Sequence, residues 1–113
     1  DFIVVGGWNY RHLRTIEVYS AAEGVFTSGE NMPYGLDQAC AAKINTTHFM
    51  ISGGETDMFP GLMTSRSLIY NIVSHSFTES VAEFSTARGN HGCGTVEGPD
   101  GVEFNTAGGN TDH

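Results

Sequence analysis

The side chains in this sequence that could bind a metal ion are its five histidines, but their spacing does not favour such a site. No two of them lie two or four residues apart, the separations that place a pair of ligands on one face of a strand or a helix. Folding would have to gather three of them from His12, His48, His75, His91 and His113. We therefore predict no metal and no cofactor, and we interpret His91 as a structural side chain that bonds to the backbone.

Motifs of nucleophilic and phosphate chemistry are absent from the sequence. It contains no G-x-S-x-G, H-E-x-x-H, P-loop or EF-hand pattern. The spaced glycines Gly92, Gly94 and Gly98 only half match a dinucleotide-binding motif, and they precede a turn signal instead of a helix. We interpret them as strand-packing residues and predict no catalytic residue.

One triplet, Asn45-Thr46-Thr47, satisfies the acceptor pattern for N-glycosylation. It falls in a short polar turn, where its side chains would be exposed. Triplets of this kind also arise by chance, so the sequence leaves open whether Asn45 carries a glycan.

Composition narrows the classes of partner. The 113 residues suffice for at most one domain, and the net charge of −8 argues against a nucleic-acid partner, which requires clustered Lys and Arg. No apolar run approaches the roughly 20 residues of a membrane-spanning helix, so we predict no membrane insertion. Fifteen glycines and only 16% charged residues favour short strands and tight turns.

The organising feature is an internal repeat marked by three Gly-Gly pairs. A Phe precedes each pair by four positions, Tyr and Phe landmarks recur 51 residues apart, and the two cysteines are 53 apart. The insertions that separate the units fall between these landmarks, where loops tolerate them. The landmarks are Gly6, Gly7, Gly53, Gly54, Gly108, Gly109, Tyr19, Tyr70, Phe26, Phe77, Cys40 and Cys93.

The units resemble kelch repeats, since each has about 50 residues and short strand-like segments. An apolar run leads into Gly-Gly, followed by Glu17-Val18-Tyr19 and Met32-Pro33, and Arg88 with His91-Gly92 is similar to the element that opens a kelch inner strand. The sequence departs from the family pattern at Phe26 and Phe77, where Trp is expected. It also departs at the first junction, where Leu36 or Asp37 stands in place of Arg.

This resemblance implies an all-β fold of antiparallel four-stranded blades from a kelch-type β-propeller. Labelled a to d from the axis outward, strands b, c and d of a first blade would occupy residues 1–37. A complete second blade would occupy 38–90, and strands a and b of a third would occupy 91–113. These roughly two and a quarter blades cannot close a ring of 4–8, so we expect a piece of a longer propeller or copies that self-associate.

The two cysteines then lie at equivalent positions on the inner strands of neighbouring blades. Such strands splay from a central channel and are not hydrogen-bonded to each other, whereas a disulfide needs Cα atoms within about 7 Å. We therefore predict that Cys40 and Cys93 are free, buried thiols.

The predicted function is non-enzymatic protein binding within a longer protein. In such blades the b–c and d–a loops emerge on one face, and their aromatic, Met and Arg side chains are types enriched at interfaces. The predicted binding residues are Trp8, Tyr10, Arg11, Tyr34, Met58, Phe59 and Arg88. An alternative is that Trp8 and Phe59 fold back as covers of the rim.

Two other classes remain open at this stage. Some kelch-type propellers resemble galactose-oxidising copper enzymes or sialic acid epimerases, for which His91 and Glu97 are the local acid and base candidates. A self-associated ring could instead act as a lectin. The sequence indicates neither the identity of the partner nor the compartment.

Overall fold

The computed structural model describes residues 2–56, 63–79, 87–89, 92–99 and 101–109. Within these ranges the chain forms eleven β-strands and no helix, so the all-β prediction is confirmed. None of the described residues belongs to a helix that could cross a membrane.

The strands form antiparallel sheets of neighbouring segments. The bounds are β1 Phe2–Val5, β2 Ile16–Ser20, β3 Val25–Ser28, β4 Leu36–Asp37, β5 Cys40–Lys43, β6 His48–Ser52, β7 Glu55–Thr56, β8 Ser67–Asn71, β9 Ser76–Glu79, β10 Gly92–Gly98 and β11 Gly101–Ala107. The first sheet has the order β1-β2-β3, the second β5-β6-β8-β9 and the third β10-β11, and a small fourth sheet pairs β4 with β7.

The register of the sheets reproduces the repeat. Tyr19 is paired with Phe2 on one side and Phe26 on the other, and Tyr70 lies in the same way between Phe49 and Phe77. Each Tyr therefore holds the same register position, opposite a Phe on each of the two neighbouring strands. The landmarks 51 residues apart in the sequence are therefore equivalent positions in three dimensions.

The core joins the first and second sheets. Its buried members come from β2, from the segment 29–39 and from β6 and β8, and they form one cluster of Ile16, Val18, Met32, Tyr34, Leu36, Ile51, Leu68 and Tyr70. Each large apolar side chain that leaves water here contributes roughly 1.5–3 kcal/mol. The two sheets thus pack as one unit through the apolar positions of their period-two strands.

A disulfide joins Cys40 on β5 to Cys93 on β10, with the two Cα atoms 6.1 Å apart. The prediction of two free thiols is therefore wrong. β5 and β10 belong to different sheets, yet they lie side by side. A disulfide requires only Cα proximity, not a shared hydrogen-bond ladder, so the absence of a ladder did not exclude it.

Two buried tyrosines predict how stability depends on alkaline pH. Burial raises the pKa of Tyr34 and of Tyr70 above the ordinary value of 10.0, although Arg66 partly opposes the shift at Tyr34. As pH rises, the unfolded chain releases these phenolic protons before the folded chain does. The contribution of the two tyrosines to the free energy of unfolding is therefore complete below about pH 10 and is lost as pH rises further. We expect the melting temperature to fall above this pH, and less steeply in Tyr34→Phe than in the parent chain. Parallel melting curves for the two proteins would contradict this assignment.

Candidate functional site

The candidate site is the surface where the β1–β2 and β6–β8 connections meet the segments that precede β5 and β10. We call it the loop face, and its described residues are 6–15, 29–39, 53–56, 63–66 and 87–89. Part of it is a small sheet in which β4 pairs with β7, opposing Leu36 to Thr56 and Asp37 to Glu55. The loops of the first and second units are therefore joined by backbone pairing.

A closed cycle of three backbone hydrogen bonds fixes the first loop. The amide of Gly7 donates to the carbonyl of Leu36 at 2.8 Å, the amide of Leu36 donates to Leu13 at 3.0 Å, and the amide of Leu13 returns to Gly7 at 2.9 Å. Each of the three segments therefore provides hydrogen-bond partners for backbone groups of the others. Without these bonds, the same groups would have to bond to water.

The same cycle recurs in the second unit. Gly54 donates to Arg88 at 2.8 Å, Arg88 donates to Thr64 at 3.4 Å, and Thr64 donates to Gly54 at 2.9 Å. The recurrence makes Leu36 the counterpart of Arg88, a point that the sequence left open between Leu36 and Asp37. The loop geometry is thus a repeated feature of the fold and not an accident of one loop.

A side-chain contact also joins the two loops. His12 Nε2 lies 2.7 Å from Glu55 Oε1, and the Trp8 indole lies nearly perpendicular to the imidazole with ring centroids 5.1 Å apart. The His12 side chain is largely buried by this arrangement, at 16% exposure. His12 and Glu55 lie 43 residues apart, so no local sequence pattern indicated that they would meet.

Three of the predicted binding residues lie together on the outer part of the first loop. Trp8 is 58% exposed and Tyr10 is 93% exposed, with Tyr10 in the left-handed region at φ 62°. Arg11 is also exposed, and its carbonyl accepts a hydrogen bond from the amide of Asn9 at 3.1 Å.

The other predicted binding residues have different positions. Tyr34 is 4% exposed and belongs to the core, with the Arg66 guanidinium carbon 5.4 Å from its ring centroid, so its assignment to the binding surface is corrected. It is buried because 29–39 crosses the junction between the two sheets. Arg88 is half-buried and donates to the carbonyl of Gly108 at 3.2 Å, across to the third unit. Met58 and Phe59 lie outside the described residues.

A cavity of about 350 Å³ opens beside the first loop, lined by Arg11, His12, Leu13, Arg14, Thr15 and Asn31. The Arg14 guanidinium donates to the carbonyls of Met32, at 3.2 Å, and Pro33. Arg11 has no ion-pair partner among the described residues. Its charge is therefore available to a ligand at the edge of this cavity.

Side chains suited to holding a metal ion do not converge within the described ranges. No cluster of three or more His, Cys, Asp or Glu side chains there is placed to hold a metal ion. His91 lies outside those ranges, and the structure describes only the backbone position of Glu97 on β10. The described part of the loop face presents the exposed aromatic side chains of Trp8 and Tyr10 beside the pair of His12 with Glu55.

No protein-family model and no curated protein matches the chain. Solved structures do match it, and one of them is described as "Structure of YjhT". That match has a TM-score of 0.56 and 18% identity, and it covers 84% of this chain and 31% of YjhT. The chain thus spans about a third of the length of that protein, and the similarity concerns the fold alone.

Proposed function

We propose that the chain is a segment of a kelch-type β-propeller whose loop face binds a protein partner. The observation that carries the proposal is the repeated hydrogen-bond cycle, which presents Trp8, Tyr10 and Arg11 on an interlocked loop. Trp, Tyr and Arg are the residue types that dominate interface hot spots. A loop that is already fixed loses little conformational entropy on binding, so more of the contact energy remains as affinity.

The propeller part of the proposal is supported by an aromatic pair on the first sheet. Tyr19 and Phe26 lie with their ring centroids 5.1 Å apart, and their counterparts Tyr70 and Phe77 lie 4.7 Å apart on the second sheet. Tyr70 is fully buried against the first sheet, whereas its counterpart Tyr19 is only half-buried and Phe26 is 53% exposed. A preceding blade packed in the same way would bury Tyr19.

The binding part of the proposal can be tested with peptides selected from a random library on the immobilised chain. The Trp8→Ala substitution is expected to lower the affinity for the selected peptides about 30-fold, which corresponds to a hot-spot contribution of about 2 kcal/mol. Tyr10→Ala and Arg11→Ala are expected to weaken them by smaller factors. Fluorescence polarisation gives the affinities, and thermal melts show whether each variant stays folded.

Val73→Ala is the matched control, because Val73 is another exposed apolar side chain, at 72% exposure, in the turn between β8 and β9. That turn lies at the strand ends away from the loop face, so peptide affinity is expected to be unchanged. Equal affinity of the parent and all three loop variants would refute the binding face. Loss of cooperative melting in Trp8→Ala would instead assign Trp8 a covering role.

A further inference from the structure

The turn between β5 and β6 lies on the side of the second sheet opposite the loop face. β5 begins at Cys40, directly after the β4 segment of the loop face, and β6 returns to that face at Gly53. With four residues in β5 and about 3.3 Å per residue, the turn lies roughly 13 Å away along the strands. A large group attached there would leave the loop face open.

The amide side chain of Asn45 in this turn is ordered and accessible. Its Oδ1 accepts hydrogen bonds from the amides of Thr47 and His48, both at 2.9 Å, in an Asx-type turn. Asn45 is exposed, and its Nδ2 has no hydrogen-bond partner among the described residues. The nitrogen that would carry a glycan is therefore the side-chain atom left available.

The hydroxyl that completes the acceptor triplet is also in place. Thr47 Oγ1 lies 3.2 Å from Asn45 Oδ1, so the two side chains required by the acceptor pattern already contact each other. The amide of Ile72 donates to the Thr47 carbonyl at 2.9 Å, which anchors the turn to the end of β8. The turn therefore exposes Asn45 while hydrogen bonds hold its backbone in place.

An independent observation concerns the compartment. The disulfide between Cys40 and Cys93 joins two sheets, and such bonds form and persist in oxidising compartments, including the lumen where N-glycans are added. We infer that Asn45 is an N-glycosylation site and that its glycan projects from the face opposite the binding loops. The assignment of the modified residue does not depend on the proposed binding function, whereas the test of the glycan's orientation by peptide affinity rests on it.

The modification is a group transfer from a polyprenyl diphosphate-linked oligosaccharide, catalysed by a cellular transferase. Asn45 Nδ2 attacks the anomeric carbon of the first sugar, forming a C–N bond while the C–O bond to the diphosphate breaks. Nδ2 loses one proton, and the lipid diphosphate leaves with the bonding electrons. No oxidant or reductant is needed.

The test is translation of the full chain, behind a cleavable signal peptide, in the presence of eukaryotic microsomes. This assay reports modification even for variants that fold poorly. We expect a glycosidase-sensitive increase in mass for the parent chain, and its loss in Asn45→Gln and Thr47→Ala. Thr46→Ala and Thr47→Ser keep the acceptor pattern and are the matched controls, so both should be modified.

An unmodified parent chain in microsomes that glycosylate a reference protein would overturn the inference. So would a modification that persists in Asn45→Gln, because it would lie elsewhere. For the parent chain secreted from cells, the glycan should leave peptide affinity at the loop face within about twofold, as expected for a group on the opposite side. A larger loss would overturn the assigned orientation of the glycan.

Discussion

Replacing Gly6 by Ala is expected to lower the free energy of unfolding by roughly 2–5 kcal/mol, the sum of overpacking and left-handed strain. Gly6 has φ +55°, and a Cβ there would lie 2.2 Å from the carbonyl oxygen of Leu36. That oxygen accepts the hydrogen bond from Gly7 that begins the first cycle, so relieving the clash must open the loop. Denaturant unfolding of the two proteins measures the difference.

Gly24→Ala separates backbone strain from the clash. Gly24 also has a positive φ, +69°, but no atom lies within 4 Å of a Cβ placed there. Its substitution is therefore expected to cost only the left-handed penalty of roughly 1–2 kcal/mol. Equal losses of stability in the two variants would contradict this explanation. They would show that position 6 requires glycine for some reason other than its close contact with the Leu36 carbonyl.

Removing the disulfide is the second change with a large expected effect. Cys40 and Cys93 are 53 residues apart, and a cross-link of that span typically stabilises a folded protein by about 2–4 kcal/mol through restriction of the unfolded chain. We expect the Cys40→Ser, Cys93→Ser double variant to unfold at a correspondingly lower denaturant concentration than the oxidised parent. The slope of free energy against denaturant reports any accompanying change in the unfolded state.

The reduced parent chain is the control for this comparison. Its unfolding midpoint should match that of the double variant, and reductant should leave the double variant unchanged. Titration of the unfolded, unreduced parent with a thiol reagent should find no free thiol. Two free thiols, or equal stability of the oxidised and reduced parent, would contradict a stabilising bond between β5 and β10.

The joined loops and the disulfide act on different connections between units. The contact of His12 with Glu55 and the pairing of β4 with β7 join the first loop to the second. The disulfide and the hydrogen bond from Arg88 to Gly108 join the second unit to the third. Mutations at Gly6 and at Cys40 should therefore have nearly additive effects, because they share no partner.

The sequence by itself determined the strand elements and the repeat. Period-two alternation over 16–19 and the β-branched and aromatic residues of 67–72 predict strands, and the doubled glycines mark places where the backbone can take a positive φ. Both signals are local, because a residue's face in a strand and its allowed φ depend on its near neighbours. The all-β class followed from these local signals, and the candidate loop followed from Trp8, Tyr10 and Arg11 lying between two such strands.

Only the tertiary structure decided which distant groups meet. The disulfide depends on the distance between β5 and β10, and the pair of His12 with Glu55 depends on how two loops are juxtaposed. Tyr34 lies in an irregular segment. Such a segment has no regular alternation of buried and exposed positions, so the sequence could not predict that Tyr34 is buried. These outcomes are set by the packing of one sheet on another, which sums many weak contacts between residues far apart in the chain.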